Sequence, residues 1–244
     1  MRKILVVGGA NGVGLSIATE YAKRTDTECV YIVDKAPLPV EYEHEKFKVF
    51  SFDLTSSDYS IFDRFNDVDT LMITAGFGRL ALFRDVPEEY IIDSFNVNTL
   101  AVLRIIKHFY GKLERDPNFY CGVMVSIAGF MSSPFFAVYG ATKAALKIFI
   151  ESVNVELIKA GSPNRILNVS PGSLKGTSFT KGKTDLNIIR PMALEIIERL
   201  ERKDDLFIPQ YDEVFKNVLE RYHADFRAEG LHSYEYKVSS NRMK

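Results

Sequence analysis

Ser126, Tyr139 and Lys143 fall within one stretch, SIAGFMSSPFFAVYGATK, with the serine 13 positions before the tyrosine and the lysine four after it. On a helix, residues four apart share a face, their Cβ atoms about 5–6 Å apart. An ammonium held ~5 Å from a phenol, at an effective dielectric of ~20, favours the ionised form by about 3 kcal/mol, roughly two pKa units. The expectation is a phenol drawn down from its usual ~10 toward a value useful for proton transfer near neutrality. Tyrosine–lysine pairs at this spacing also occur on ordinary surface helices. What the pair acts on must come from elsewhere in the chain.

A second chemistry-bearing stretch lies near the start. The apolar run 3–7 leads directly into GGANGVGLSIATEYAK, where Gly8, Gly12 and Gly14 follow the spacing G-x-x-x-G-x-G. Between a strand and a helix, such a turn brings backbone close to a pyrophosphate and offers it the helix amino terminus. Asn11 and Val13 belong to the same turn. Asp34, closing the second apolar run 20 residues past Gly14, is placed to accept hydrogen bonds from an adenosine ribose 2′-hydroxyl. Asp53, with the backbone N–H of Leu54, reads as a contact to the adenine edge. Ala75 and Gly76, in TAGFG, are small where an adenosine would lie against a sheet.

These residues need elements to hold them. The runs KILVV (3–7), CVYIV (29–33), FKVFSF (47–52), TLMIT (70–74), GVMVSI (122–127) and RILNVS (165–170) are short, apolar and bounded by turn residues. Strands buried on both faces of a parallel sheet have this pattern. Segments of helical period lie between them, at 14–24, 87–95, 97–113 and 139–160, with a shorter one at 57–65. The alternation implies an α/β fold, a doubly wound (Rossmann) parallel sheet of about seven strands with helices on both faces. DLFIP (205–209) would supply the seventh, edge strand, ended by Pro209. No linker or repeat interrupts the pattern, and residues 1–244 read as one domain.

The 244 residues are 46% hydrophobic and 26% charged, which argues against disorder. With 31 basic and 32 acidic side chains, the chain carries no electrostatic footprint for nucleic acid or an anionic membrane. Cys29 and Cys121 show no CxxC spacing and read as reduced, buried small hydrophobes. Arg2 and Lys3 before an apolar run imitate a signal peptide, but the run is too short, and a cytoplasmic location is expected. His44, His108, His223 and His232 lack metal-ligand spacing, so no metal is expected. No G-x-S-x-G elbow supports a hydrolase.

Taken in order, Gly8/Gly12/Gly14, AG at 75–76, NVN at 96–98, SIAG at 126–129, YGATK at 139–143 and PG at 171–172 resemble the short-chain dehydrogenase/reductase family over residues 3 to about 177. The resemblance implies a catalytic tetrad of Asn98, Ser126, Tyr139 and Lys143. Tyr139 would exchange a proton with the substrate oxygen. Lys143 would depress its pKa and hold the nicotinamide ribose, and Ser126 would bond the substrate oxygen. Asn98 would hold a water that relays protons from Lys143. Pro171, Gly172 and either Ser173 or Thr177 would meet the nicotinamide end. Val7 stands where the family usually has threonine. Thr74 replaces the asparagine of its N-A-G and can still give one hydrogen bond.

The activity implied is interconversion of an alcohol and a ketone with NAD(H), NADP(H) being the alternative. The competing readings are a dinucleotide-sensing module without turnover and a nucleotide-sugar epimerase or dehydratase. The first has no use for an intact tetrad, and the second normally adds a larger domain than the roughly 70 residues after Gly172 provide. Residues 173–203 read as a substrate loop and apolar lid (Phe179, Leu186, Ile188, Ile189, Pro191, Met192), with Lys175, Lys181 and Lys183 near it. Phe130, Phe135 and Phe136 line either the pocket or the core. Helices 97–113 and 139–160 look apolar on more than one face and need a second cover; the resemblance implies pairing with twofold mates in a homodimer or homotetramer. The tail 211–244 would form a separate lid or brace.

Overall fold

The computed structural model describes residues 1–177, 179 and 183–240. Its strands are β1 (Arg2–Val7), β2 (Thr27–Asp34), β3 (Phe47–Ser51), β4 (Thr70–Ile73), β5 (Tyr120–Met124), β6 (Ile166–Val169) and β7 (Leu206–Phe207). They form a seven-stranded sheet in the order β3-β2-β1-β4-β5-β6-β7. Every pairing is parallel. The order reverses between β1 and β4, and the crevice at the carboxyl ends of strands at such a reversal is where open α/β sheets bind ligands.

Alternation along β1 feeds two cores. Ile4 and Val6 pack with α1 (Gly12–Ala22) and α5 (Leu186–Glu201) through Ile17, Tyr21, Ile189 and Ile196. Leu5 and Val7 point the other way, toward α3 (Ala101–Arg115) and α4 (Ala137–Lys159) through Ile105, Phe109, Leu146 and Ile150. The remaining helices are α2 (Glu88–Phe95), α6 (Lys216–Ala224) and α7 (Phe226–Ser239). Among the described residues no helix is long and apolar enough to cross a membrane.

Several local expectations are corrected. The helix expected at 57–65 is a six-residue 3₁₀ turn, Ser60–Phe65, whose buried Phe62 and Phe65 sit three apart, the repeat of that tighter helix. β5 ends at Met124, before Ser126, because Ile127 N–H turns to bond Pro171 O at 3.1 Å. The helix expected over 97–113 begins with a π turn, Asn96–Leu100, that presents Asn98 inward. Within the expected lid, Ile189 is 2% exposed and belongs to the core, since α5 lies on the sheet. Nor is α3 apolar on more than one face: Ile106 and Phe109 are buried in the core. Lys181 lies outside the described residues, as do 241–244 of the tail.

Candidate active site

The glycine turn follows β1 directly. Gly8 has φ of +86°, and a Cβ there would meet Ala75 N at 2.4 Å. At Gly14 a Cβ would come within 2.2 Å of Gly8 O, so helix α1 starts as close to the strand as backbone permits. Thr74 ties the two strand ends together, its hydroxyl donating to Gly8 O at 2.9 Å. The expected single hydrogen bond from this asparagine substitute is thus made. Gly12 N–H, at the amino end of α1, donates to Thr184 Oγ1 at 3.0 Å.

Beside the turn opens a cleft of about 300 Å³ lined in part by Gly8, Asn11, Asp34, Asp53, Ala75 and Gly76; Leu54 lies on it too. The Asp34 carboxylate accepts from Ala10 N at 3.0 Å and Ala36 N at 2.9 Å, which pins it at the end of β2. Asp53 is held more tightly: Lys35 bridges to it at 2.6 Å and Thr55 donates from both N–H and hydroxyl. Those contacts, Lys35 first, lower its pKa to about 2. Asp93 of α2 lines the same cleft.

The other chemistry assembles at the ends of β4 and β5. Asn98 is fully buried and clamps Phe77, accepting from its N–H at 2.9 Å and donating to its carbonyl at 2.8 Å. The other amide hydrogen goes to Thr142 Oγ1 at 3.2 Å. Lys143 is 2% exposed and donates from Nζ to Met124 O at 2.9 Å. A Cβ on Gly76 would lie 3.1 Å from Asn98 Oδ1 and 3.3 Å from Lys143 Nζ, so the three meet at one point. Gly129 of SIAG lets its loop rest on α4, where a Cβ would meet Lys143 backbone at 2.8 Å. Ser126, nearly buried, accepts from Ala128 N at 3.1 Å.

The expected pKa of Tyr139 is corrected. Burial pushes its phenol up to about 12, against a hydrogen bond with Ser126 that pulls it down; the nearby Tyr90 phenol raises it further. Burial also pushes Lys143 down to about 7. An ammonium lowers a neighbouring phenol's pKa only while it is charged, and desolvation here disfavours the charged form of both groups. Lys143 Nζ stands 5.8 Å from the Tyr139 ring centroid.

Around Tyr139 the aromatic candidates divide. Phe136 and Phe179 flank it, with centroids at 5.4 and 5.3 Å. Phe135 is instead buried against Tyr234 of α7 at 4.5 Å, in the left-handed region with φ of 68°. A non-glycine residue there costs about 1–2 kcal/mol. At the other loop, Thr177 is buried and a Cβ on Gly12 would sit 3.8 Å from its Cβ, while Ser173 is exposed. Pro171 is buried, and a Cβ on Gly172 would strike the Phe215 ring at 2.6 Å. Val13, though buried, is part of the α1 face that packs on the sheet.

Sequence reasoning passed over Thr142, Thr184, Phe215 and Lys237. Thr142 sits inside YGATK and its spacing of three from Tyr139, whose carbonyl it bonds at 2.7 Å, was a readable signal. For the others no local signal exists. Among the described residues no group of three His, Cys, Asp or Glu is arranged to hold a metal.

A model of the family described as short chain dehydrogenase matches residues 2–187. Two curated relatives from Saccharomyces cerevisiae, both named as uncharacterized oxidoreductases, are 22% identical over 81% of this chain and 25% over 78%. The chain spans 70% and 60% of their respective lengths. Among solved structures, a short-chain dehydrogenase/reductase of Burkholderia phymatum in complex with NAD superposes with a TM-score of 0.78, at 14% identity, covering 93% of this chain and 95% of that one. An alcohol dehydrogenase of Thermococcus sibiricus complexed with 5-hydroxy-NADP gives 0.70 at 19% identity, over 85% and 95%.

Proposed function

Because the chain belongs to the short-chain dehydrogenase family, we propose that it is an oxidoreductase interconverting an alcohol and a ketone, with Tyr139 exchanging the proton on the substrate oxygen. The observation that carries this reading is Lys143, buried against Gly76 with its Nζ 5.8 Å from the Tyr139 ring, and Ser126 near enough to Tyr139 to pull the phenol's pKa down. The residues present fit a nicotinamide dinucleotide: a carboxylate at the end of β2, small residues at 75–76 and the α1 amino terminus line one cleft. When bound, that cofactor supplies or accepts the hydride.

The chain's own residues do the rest. Ser126 holds the substrate oxygen and turns it toward the phenol. Tyr139, with its pKa at about 12, stands protonated at neutral pH and gives its proton to the oxygen as ketone becomes alcohol. Lys143, against Gly76, orients the ribose end and refills the phenol's proton, while Asn98 holds the Phe77 backbone that walls the site. Gly8, Gly12, Gly14, Asp34 and Asp53 serve the adenosine and pyrophosphate, and Gly172 and Thr177 the nicotinamide end. We read the chain as one dehydrogenase domain acting in the cytoplasm on a small molecule, as a homodimer that prefers NAD(H).

A panel of ketones, oxoacyl thioesters and nucleotide sugars, assayed with NADH and NADPH, tests the reading. Ketone-dependent NADH oxidation, lost in Tyr139→Phe, is the expected result. Binding of NADH without turnover of any compound would replace it with the sensing module, and turnover of nucleotide sugars alone with the epimerase.

A further inference from the structure

The C-terminal segment does not lie apart from the site. Helix α7 brings Lys237 to the turn just before Tyr139, although 104 residues separate it from Ser133. The side chain is only 8% exposed, and its ammonium donates to Ser133 Oγ at 2.8 Å and Pro134 O at 2.9 Å. The same nitrogen sits 5.7 Å over the Phe136 ring, which in turn lies against Tyr139. A lysine is rarely buried, because its ammonium must be supplied with acceptors to replace water. Here the turn supplies two of those acceptors.

Two neighbours fix the turn from the same helix. Tyr234, one helical turn before Lys237, packs on Phe135, and Gly230 brings the helix backbone close to Ser132, whose Oγ would lie 3.3 Å from a Cβ there. Phe135 holds its left-handed backbone while its carbonyl accepts from Ala81 N at 2.9 Å. Strained conformations of this kind persist only where the surroundings over-determine them. The turn leads straight into α4, with Gly140 N bonding Phe136 O at 2.7 Å across Tyr139.

We propose that Lys237 is a positioning residue for Tyr139: its ammonium fastens the 133–136 turn, and Phe136 on that turn sets the phenol's place in the site. The proposal deepens the dehydrogenase reading and rests on it for what Tyr139 does. Its structural half needs no substrate to test.

The full-length chain is compared as wild type, Lys237→Met, which keeps the stem without the charge, and Lys237→Arg, which restores a cation. Amide hydrogen exchange is followed at Ala81, Phe136 and Gly140, whose N–H groups bond Phe135, Ser133 and Phe136 carbonyls. Exchange there should accelerate at least ~tenfold in Lys237→Met and return toward wild type in Lys237→Arg, with the β1 and β4 amides unchanged. Equal protection in wild type and Lys237→Met overturns the proposal, and so does an arginine variant as fast as the methionine one. If Lys237→Met loses protection throughout the chain, Ser133→Ala decides. It removes one acceptor and leaves α7 intact, so it must accelerate Phe136 and Gly140; if it does not, the brace is absent. In turnover of the ketone that wild type reduces best, Lys237→Met should lose about tenfold or more in kcat with the KM for NADH unchanged. Intact kcat with a raised KM for NADH would place the effect on the cofactor and overturn the role assigned to Tyr139. A wild type that reduces no ketone defeats the dehydrogenase reading, while the exchange result still decides the brace.

Discussion

Tyr139 and Lys143 are displaced in opposite directions by one cause, burial, and the consequence is directional chemistry. A phenol at about 12 is a ready proton donor at neutral pH and a scarce base. Ketone reduction should therefore run at neutral pH, falling as pH rises past about 7 where Lys143 gives up its proton. Alcohol oxidation needs the phenolate, so its rate should climb with pH over about 7 to 10, approaching tenfold per unit while that ionisation limits it. Rate profiles in both directions check this, and a flat oxidation profile would count against Tyr139 as the base. Tyr139→Phe should lower turnover at least ~100-fold, the usual worth of a general acid, with NADH affinity nearly intact. Lys143→Met should lose as much turnover and weaken NADH binding, yet melt no lower than wild type. Replacing a desolvated ammonium by an apolar stem removes a burial cost that the single bond to Met124 O only partly offsets. Paired turnover and thermal-melt measurements separate the two effects.

On the proposed dehydrogenase reading, the cofactor choice belongs to the ends of β2 and β3. Asp34, Asp53 and Asp93 line the cleft beside the glycine turn together with Lys35, whose charge is already taken by Asp53 at 2.6 Å. A 2′-phosphate adds about −1.5 to −2 charges and would arrive beside an unneutralised carboxylate. A screened penalty of ~1.4 kcal/mol is tenfold in affinity. NADH should bind at least ~tenfold more tightly than NADPH, and Asp34→Asn, which removes the charge and keeps only one of the two oxygens that accept from Ala10 and Ala36, should narrow the gap. Fluorescence titration of both reduced cofactors reads it directly; tighter NADPH binding by the wild type would refute the preference.

Across the whole molecule, the tail and the outer helix faces part company. The tail reaches Gly172 through Phe215 and the 133–136 turn through α7. It is therefore spent on the two loops of the site. Helix α4 meanwhile exposes Ile148 at 58%, Val155 at 66% and Ile158 at 54%, and Leu100 beside α3 is 51% exposed. Scattered exposed apolar residues are ordinary, but Ile148, Val155 and Ile158 share α4, one of the two helices for which a twofold partner is expected. Sedimentation of the full-length chain at micromolar concentration should give a dimer, and Val155→Glu with Ile148→Glu should convert it to a monomer that keeps its fold by circular dichroism. A monomeric wild type would end the assembly proposal.

The sequence by itself determined the parallel sheet, its strand–helix alternation and the glycine turn, and through a family resemblance it nominated Asn98, Ser126, Tyr139 and Lys143 as the tetrad. Sheet and turn are encoded locally, in apolar period and turn residues, and the nominated residues lie in short local motifs such as SIAGFMSSPFFAVYGATK. Even Thr74 could be given its hydrogen bond, because β1 and β4 end side by side in any sheet of this order. Only the tertiary structure decided the rest. The direction of the Tyr139 and Lys143 shifts depends on how completely distant segments exclude water, and no spacing reports that sum. The six-residue 3₁₀ turn and the π turn at Asn98 are set by what each segment must fit against, not by its own period. The same holds for Phe215 and Lys237: an amphipathic tail has a stripe to bury, but which loop receives it is settled by contacts between residues 43 and more than 100 positions apart.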